Sequence, residues 1–194
     1  KRNFNVSDYI QIKWPDIKNV GENNRRGIVH RLDRDTSGLV IIALKKISYI
    51  KLIEMQRIRK IKKSYFALVN GHPQKEKGII DAPIGRNPKN RTKQDIINGG
   101  KQAITEYETI KKYNDFSLLE IKIKTGRTHQ IRVHMKAIGH PVVGDRKYNN
   151  FTYNIKRQFL HAYNIKFKHP INDKILDVSS EIPMDLNEFL KNLS

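Results

Sequence analysis

The feature that most constrains the fold is a change of hydrophobic period near the middle of the 194-residue chain. Residues 119–124 read LEIKIK, in which apolar and charged residues alternate strictly. Successive side chains of a strand point to opposite faces, so this pattern describes a strand with one buried and one wet face. From Thr128 to Ile138 the period becomes helical. Ile131, Met135 and Ile138 fall within a narrow arc, while His129, Arg132 and Lys136 share another face. Val133 lies on the polar side and does not fit the split. Gly139, with Pro141 behind it, supplies a helix stop.

Strand signals recur on both sides. Residues 39–44 (LVIIAL) are a short, β-branched apolar run suited to a buried strand. Residues 64–69 end at the turn pair Asn70-Gly71, and 78–82 stop at Pro83. Residues 102–111, 116–124 and 159–167 are further strands, and 88–101 read as a basic loop. Residues 49–60 form a helix with Ile50, Ile53 and Ile58 among its apolar positions. Arg57, Arg59 and Lys60 near its C-terminal end complement the helix dipole. Residues 183–193 are a terminal helix, with Pro183 acceptable in the first turn. The first 26 residues are polar and irregular, and their closing GENNRR reads as a turn or mobile loop. Many strands with few, scattered helices predict an α+β domain: a mixed, mostly antiparallel sheet with flanking helices.

Charge bounds the partners. Lys and Arg number 38 against 19 Asp and Glu, a formal net charge of +19. Such an excess draws polyanions through a long-range positive potential and favours nucleic acid over an unspecialised basic surface. No basic amphipathic helix with an aromatic face points to a membrane surface, and no apolar run approaches the roughly 20 residues of a span. With no cysteine, disulfides and cysteine-based metal sites are excluded. A cytoplasmic protein is expected.

Three segments could carry chemistry. His30-Arg31-Leu32-Asp33-Arg34-Asp35-Thr36-Ser37-Gly38 packs charged and polar groups just ahead of an apolar run, a good mount for a catalytic group. The bland reading is a turn bonded by its own Asp35, Thr36 or Ser37, and the pattern alone cannot choose Asp33 over Asp35. Residues 124–136 hold Lys, Arg and His, and no acidic residue falls between Glu120 and Asp145. A carboxylate from elsewhere could pair with an arginine there and stay ionised. His129 and His134 are five apart, which suits structural or RNA-contact roles better than metal. Residues 62–69 set Tyr65 beside Lys62 and Lys63. That arrangement suits stacking a base while holding its phosphate, although the segment taken alone favours a core tyrosine on a strand.

Together these segments resemble the RluA/RluD-type family of pseudouridine synthases. HRLDRDTSGL at 30–39 is similar to the family's catalytic signature. KSYFALVNG at 63–71, GRTHQIRVHMKAIGHPVVGD at 126–145 and the shorter FLHA at 159–162 follow in the expected order, and the stretch from Gly85 through Lys101 to Glu106 resembles the RluD-like branch. The resemblance implies the pseudouridine synthase fold, with residues 1–26 a partial N-terminal part of that domain and 27–194 its catalytic body. It implies that Asp33 is the catalytic aspartate and that Arg132 ion-pairs with it. It makes Tyr65 the active-site tyrosine that packs on the uracil, Arg31 the arginine that enters the RNA stack, and Leu160 an apolar wall. A strand with a Lys-Pro pair and a small domain related to ribosomal protein S4, both common ahead of the signature in the family, are not recognisable, so the sequence begins in what reads as the middle of the domain.

The implied reaction breaks the N1–C1′ bond of a uridine, turns the uracil and rejoins it through C5. No electrons leave and no group is imported, so neither cofactor nor metal is expected. The target must be flipped out of its stack. Whether Asp33 attacks the sugar or removes a proton stays open. The expected partner is RNA, ribosomal RNA foremost, with the protein acting as a monomer. Two rivals remain: a non-catalytic RNA-binding protein on the same fold, and a metal-dependent nuclease using Asp33, Asp35 and the histidines, which lacks a carboxylate cluster for magnesium.

Overall fold

A computed structural model of the chain describes residues 5–23 and 25–193. It divides into two bodies. One comprises 1–32, 40–61 and 166–177, the other 33–39, 62–165 and 178–194.

The first body opens with a helix, α1 (Val6–Lys13), and a 3₁₀ turn (Pro15–Asn19). This corrects the expectation of irregular structure at residues 1–26, of which 1–4 and 24 lie outside the described residues. The cause is local: the Asn5 side chain accepts from the Ser7 and Asp8 amides while Asp8 accepts from the Asn5 amide, a reciprocal cap that starts the helix. Ile10 and Ile17 are buried beneath it. The same body holds α2 (Lys46–Arg57). The apolar run at 39–44 is not the buried strand its composition predicts. Its backbone is satisfied piecemeal instead. Ile42 bridges Ile28, the Ile41 carbonyl accepts from Val29, and the Ala43 amide reaches the Gly27 carbonyl. A continuous ladder on one partner never forms, so no strand propagates.

A seven-stranded sheet in the order β1-β8-β2-β7-β6-β3, with β9 beside β8, supplies most of the second body, while residues 166–168 of β8 and 175–177 of β9 belong to the first. The strands are β1 (Ser37–Gly38), β2 (Lys62–Asn70), β3 (Lys77–Asp81), β6 (Ile104–Lys112), β7 (Phe116–Ile123), β8 (Leu160–Lys168) and β9 (Ile175–Ser179). β2–β7, β6–β7 and β3–β6 pair antiparallel, whereas β1 lies parallel to β8, giving the mixed, mostly antiparallel α+β architecture expected. The alternation at 119–124 behaves as read. Leu119 and Ile121 are fully buried, while Lys122 and Lys124 lie outside and pair with Glu120 and Glu106 at 3.0 Å each.

The basic loop at 88–101 contains structure the sequence hid. β5 (Gln94–Ile96) pairs antiparallel with β4 (Ile84–Arg86) in a separate two-stranded sheet, and the Asn87 amide bonds Asp95 across it at 2.8 Å. Two helices finish the body, α3 (Gln130–Ala137) and α4 (Met184–Lys191). Leu186 and Leu190 of α4 join Leu68, Leu118, Val143 and Phe159 in one apolar cluster.

α3 departs from the simple amphipathic reading. Gln130, Arg132 and His134 are buried along with Ile131, Val133 and Met135, which also removes the anomaly of Val133. The polar side chains are accommodated because each has a partner. Gln130 accepts from Thr125 and the Arg127 amide and donates to the Ile104 carbonyl and to Thr105. His134 bonds the Thr105 hydroxyl at 2.9 Å and the Ala82 carbonyl at 3.0 Å. Buried polar groups matched in this way avoid the desolvation penalty that would otherwise expel them.

Candidate active site

Asp33 opens a tight turn: the Thr36 amide bonds the Asp33 carbonyl at 3.1 Å, and Asp35 takes a left-handed conformation, φ 67°. Two residues ahead of β8 hold that turn from outside. The Gln158 amide donates to the Arg34 carbonyl at 3.0 Å and to the Thr36 hydroxyl at 2.8 Å. Arg157 donates to the Asp35 carbonyl and the Ser37 hydroxyl, and its remaining nitrogens grip Asp185. The turn is thereby fixed without using the Asp33 carboxylate, which stays available.

That carboxylate meets Arg132, whose Nη1 donates to Asp33 Oδ2 at 3.2 Å. The rest of the guanidinium is committed elsewhere. Nε and Nη2 grip both oxygens of Asp145 at 2.6 and 2.8 Å, and the guanidinium carbon lies 5.0 Å from the Tyr148 ring centre. Asp145 is itself anchored, accepting from the amides of Lys147 and Tyr148. The side chain of Asp145 is 0% exposed and that of Arg132 is 7%, against 16% for Asp33, so Asp33 is the open end of the array. Burial works against the charge on Arg132, but the hydrogen bonds and charges of the two carboxylates outweigh it and raise its affinity for its proton. Two carboxylates thus share one guanidinium, and Asp33 is the more exposed of the two.

Tyr65 lies on the same side of the sheet as α3. It pairs with Ile121, which pairs in turn with Tyr107, and Gln130 and His134 reach that face at Thr105. Burial, and secondarily the charge of Asp33, raise the pKa of its phenol, which remains a protonated donor. Lys63, two residues earlier on the same strand face, is buried rather than solvated, and burial pushes its ammonium down to about 8. It is therefore not the solvated phosphate clamp that its sequence position suggests.

Of the expected site residues, Arg132 bonds Asp33, and the charge of Asp33 is felt at the Tyr65 phenol. Leu160 is buried at the start of β8. Arg31 is exposed and belongs to the first body. His129 caps α3 in a left-handed conformation, φ 56°, and bonds the Tyr148 hydroxyl at 2.8 Å; burial lowers its pKa. Among the described residues no three His, Asp or Glu side chains are grouped as metal ligands. Sequence reasoning missed Asp145, Tyr148 and Gln158. Asp145 had a signal, as the first acid after the long acid-free stretch; Gln158 had none.

The sequence profile of a family described as RNA pseudouridylate synthase matches residues 15–137. An uncharacterized RNA pseudouridine synthase of Chloroflexus aurantiacus is 43% identical over 183 residues, covering 93% of this chain and 57% of its own length. The ribosomal large subunit pseudouridine synthase D of Nitrosomonas europaea is 40% identical over 176 residues, covering 86% of this chain and 51% of its own. This chain thus spans little more than half the length of these relatives. Human RNA pseudouridylate synthase domain containing 1 superposes with a TM-score of 0.77 at 26% identity, covering 97% of this chain and 84% of that one. With the profile covering most of the chain and the fold shared almost end to end, the chain belongs to the RNA pseudouridylate synthase family, of the RluA/RluD type.

Proposed function

We propose that this chain carries the catalytic domain of an RNA pseudouridine synthase that isomerises uridines in structured RNA, with large-subunit ribosomal RNA the first substrate class to test. The observation that carries the reading is the Asp33–Arg132–Asp145 array. It presents one partly exposed carboxylate, oriented by a guanidinium that is locked from behind, next to a buried tyrosine. A protein that only bound RNA would have no use for an ionised carboxylate in that position, since it repels phosphate.

In this reading Asp33 attacks C1′ or removes a proton from C2′ of a flipped uridine, and Arg132 holds it ionised and aimed. Tyr65 gives the detached uracil a wall to turn against, with Leu160 as an apolar side. Arg31 fills the gap left in the RNA stack, where unstacking and refilling are the expected cost of reaching a buried glycosidic bond. The domain is taken to act as a monomer in the cytoplasm, without metal or cofactor. Among the described residues no helix is long and apolar enough to cross a membrane.

The test is tritium release from uridine-5-labelled, unmodified ribosomal RNA, with EDTA present and Asp33→Asn alongside. The C5 hydrogen must be replaced in this isomerisation. Release by the wild type, abolished in Asp33→Asn with RNA binding retained, is the expected result. Near-normal turnover by the variant would remove Asp33 from the mechanism.

A further inference from the structure

Beside Asp33 lies a cavity of about 440 Å³ whose wall runs from Arg132 to residues that have no part in the catalytic reading. Its wall includes Arg34, Lys93, Arg146, Lys147 and Lys156, with Asp35 the single acid. Some of the positive charge in that wall is already committed: Arg157 grips Asp185, and the Lys147 ammonium bonds the Thr92 carbonyl at 2.9 Å. Among the described residues Arg34, Lys93, Arg146 and Lys156 have no acidic partner within ion-pair distance, whereas Arg132 and Arg157 in the same wall do. Four like charges around one concavity repel one another and favour an anion between them. The volume falls within the range of small-molecule sites and accommodates a phosphodiester with part of its sugar.

Position narrows the ligand. Arg132 belongs both to the cavity wall and to the ion pair with Asp33, and Arg34 is the next residue in the chain after Asp33. An anion seated in the cavity is therefore one side chain away from the reacting carboxylate. A free small anion would be held by the wall's cations alone, whereas a phosphate covalently tied to a base anchored next door is held by both. We propose that this cavity binds the backbone phosphodiester adjoining the target uridine, with Arg146 and Lys156 as its principal contacts, so that phosphate capture fixes the strand while Asp33 acts on the sugar. The inference rests on the synthase reading above and deepens it, naming the part of the substrate that the cavity holds.

The test compares two double variants of equal charge. Arg146→Gln with Lys156→Gln empties the cavity wall; Lys75→Gln with Lys111→Gln removes the same charge from exposed positions outside that wall. Binding of an unmodified ribosomal RNA fragment is measured across a salt series, which reads phosphate contacts as the slope of log affinity against log salt. Two lost contacts to single-stranded RNA lower that slope by about 1.4. The expected result is that drop for the cavity pair, near wild-type slope for the control pair, and thermal unfolding unchanged in both. Equal slope changes in the two pairs would show that only overall charge matters and would overturn the proposal. Binding is read independently of turnover. A wild type that releases no tritium while the slopes differ would therefore sink the catalytic reading and leave the phosphate site standing.

Discussion

Arg132 serves three neighbours with one planar group. Two of its nitrogens are fixed in a fork on Asp145, the third reaches Asp33, and the face rests near Tyr148. An ammonium could keep the charge at this position but not the fork, because lysine offers a compact point charge with no bidentate geometry. Arg132→Lys is therefore expected to leave Asp145 with one bond fewer in a fully buried site. Loss of a charge-assisted hydrogen bond costs about 1.5–3 kcal/mol, read as a lower urea midpoint. The larger effect should fall on turnover. A carboxylate misplaced by about an ångström loses roughly a hundredfold in rate, so single-turnover tritium release should drop by at least that factor with RNA affinity nearly unchanged. If Arg132→Lys turns over at close to the wild-type rate, the fork is a stability device only, and Asp33 does not depend on it.

Among the elements, the short parallel pairing of β1 with β8 decides where Asp33 sits. Ser37 and Gly38 lie against His161 and Ala162, the Leu39 amide bonds the Ala162 carbonyl at 2.9 Å, and Ser37 bonds His161 at 3.0 Å. Gly38 has φ +120°, and a Cβ there would stand 2.2 Å from the Ala162 carbonyl oxygen, which is backbone and cannot step aside. Gly38→Ala should therefore break the β1–β8 contact, with a loss of more than about 2 kcal/mol from steric conflict and backbone strain together. Differential scanning calorimetry beside single-turnover rates would show both effects, and an unchanged transition would mean that this pairing does not hold the turn. The same element shows what the sequence could and could not reveal. The charged cluster at 30–38, its closing glycine and the alternating strand at 119–124 are local patterns, and local patterns are legible. The clamp on the turn comes from Arg157 and Gln158, more than a hundred residues away, and nothing in their own neighbourhood marks them. The helical period of α3 likewise set Arg132 on its polar face, because periodicity cannot register that Asp145 and Asp33 wait inside as partners. Spacing left Asp33 and Asp35 open; in the fold Arg132 reaches the Asp33 carboxylate, whereas Asp35 is exposed and supplies the turn its left-handed residue.

At the scale of the whole molecule, a chain of formal charge +19 buries histidines as neutral groups, and this sets its response to acid. His134 and His161 are almost fully buried. Burial, chiefly, lowers the pKa of both below the ordinary 6.5, and that of His129 as well. The bonding of His134 explains the preference. Its Nε2 donates to the Ala82 carbonyl, while Nδ1 accepts from a Thr105 hydroxyl that itself accepts from Gln130, so a proton on Nδ1 would break the Thr105 donor bond and place a charge in a buried site. A base whose folded pKa lies below its unfolded value binds more protons when unfolded. Its contribution to stability is complete above pH 6.5 and falls as pH drops below it. Carboxylates add to the loss only at lower pH. Asp185 is lowered by its bonds from Arg157, and Glu120 is lowered, against its burial, by Tyr163 and Lys122, from ordinary values of 3.8 and 4.5. The interval from about pH 6.5 to 5 therefore belongs to the histidines, with about 1 kcal/mol lost per pH unit for each that resists protonation. Urea unfolding at intervals across that range, in enough salt to screen the rising positive charge, should show a falling midpoint. His134→Gln, whose amide can still donate to Ala82 and accept from Thr105, should fall less steeply. A wild-type midpoint that is flat across the interval would mean that these histidines titrate freely in the folded protein, and that their hydrogen bonds do not hold them neutral.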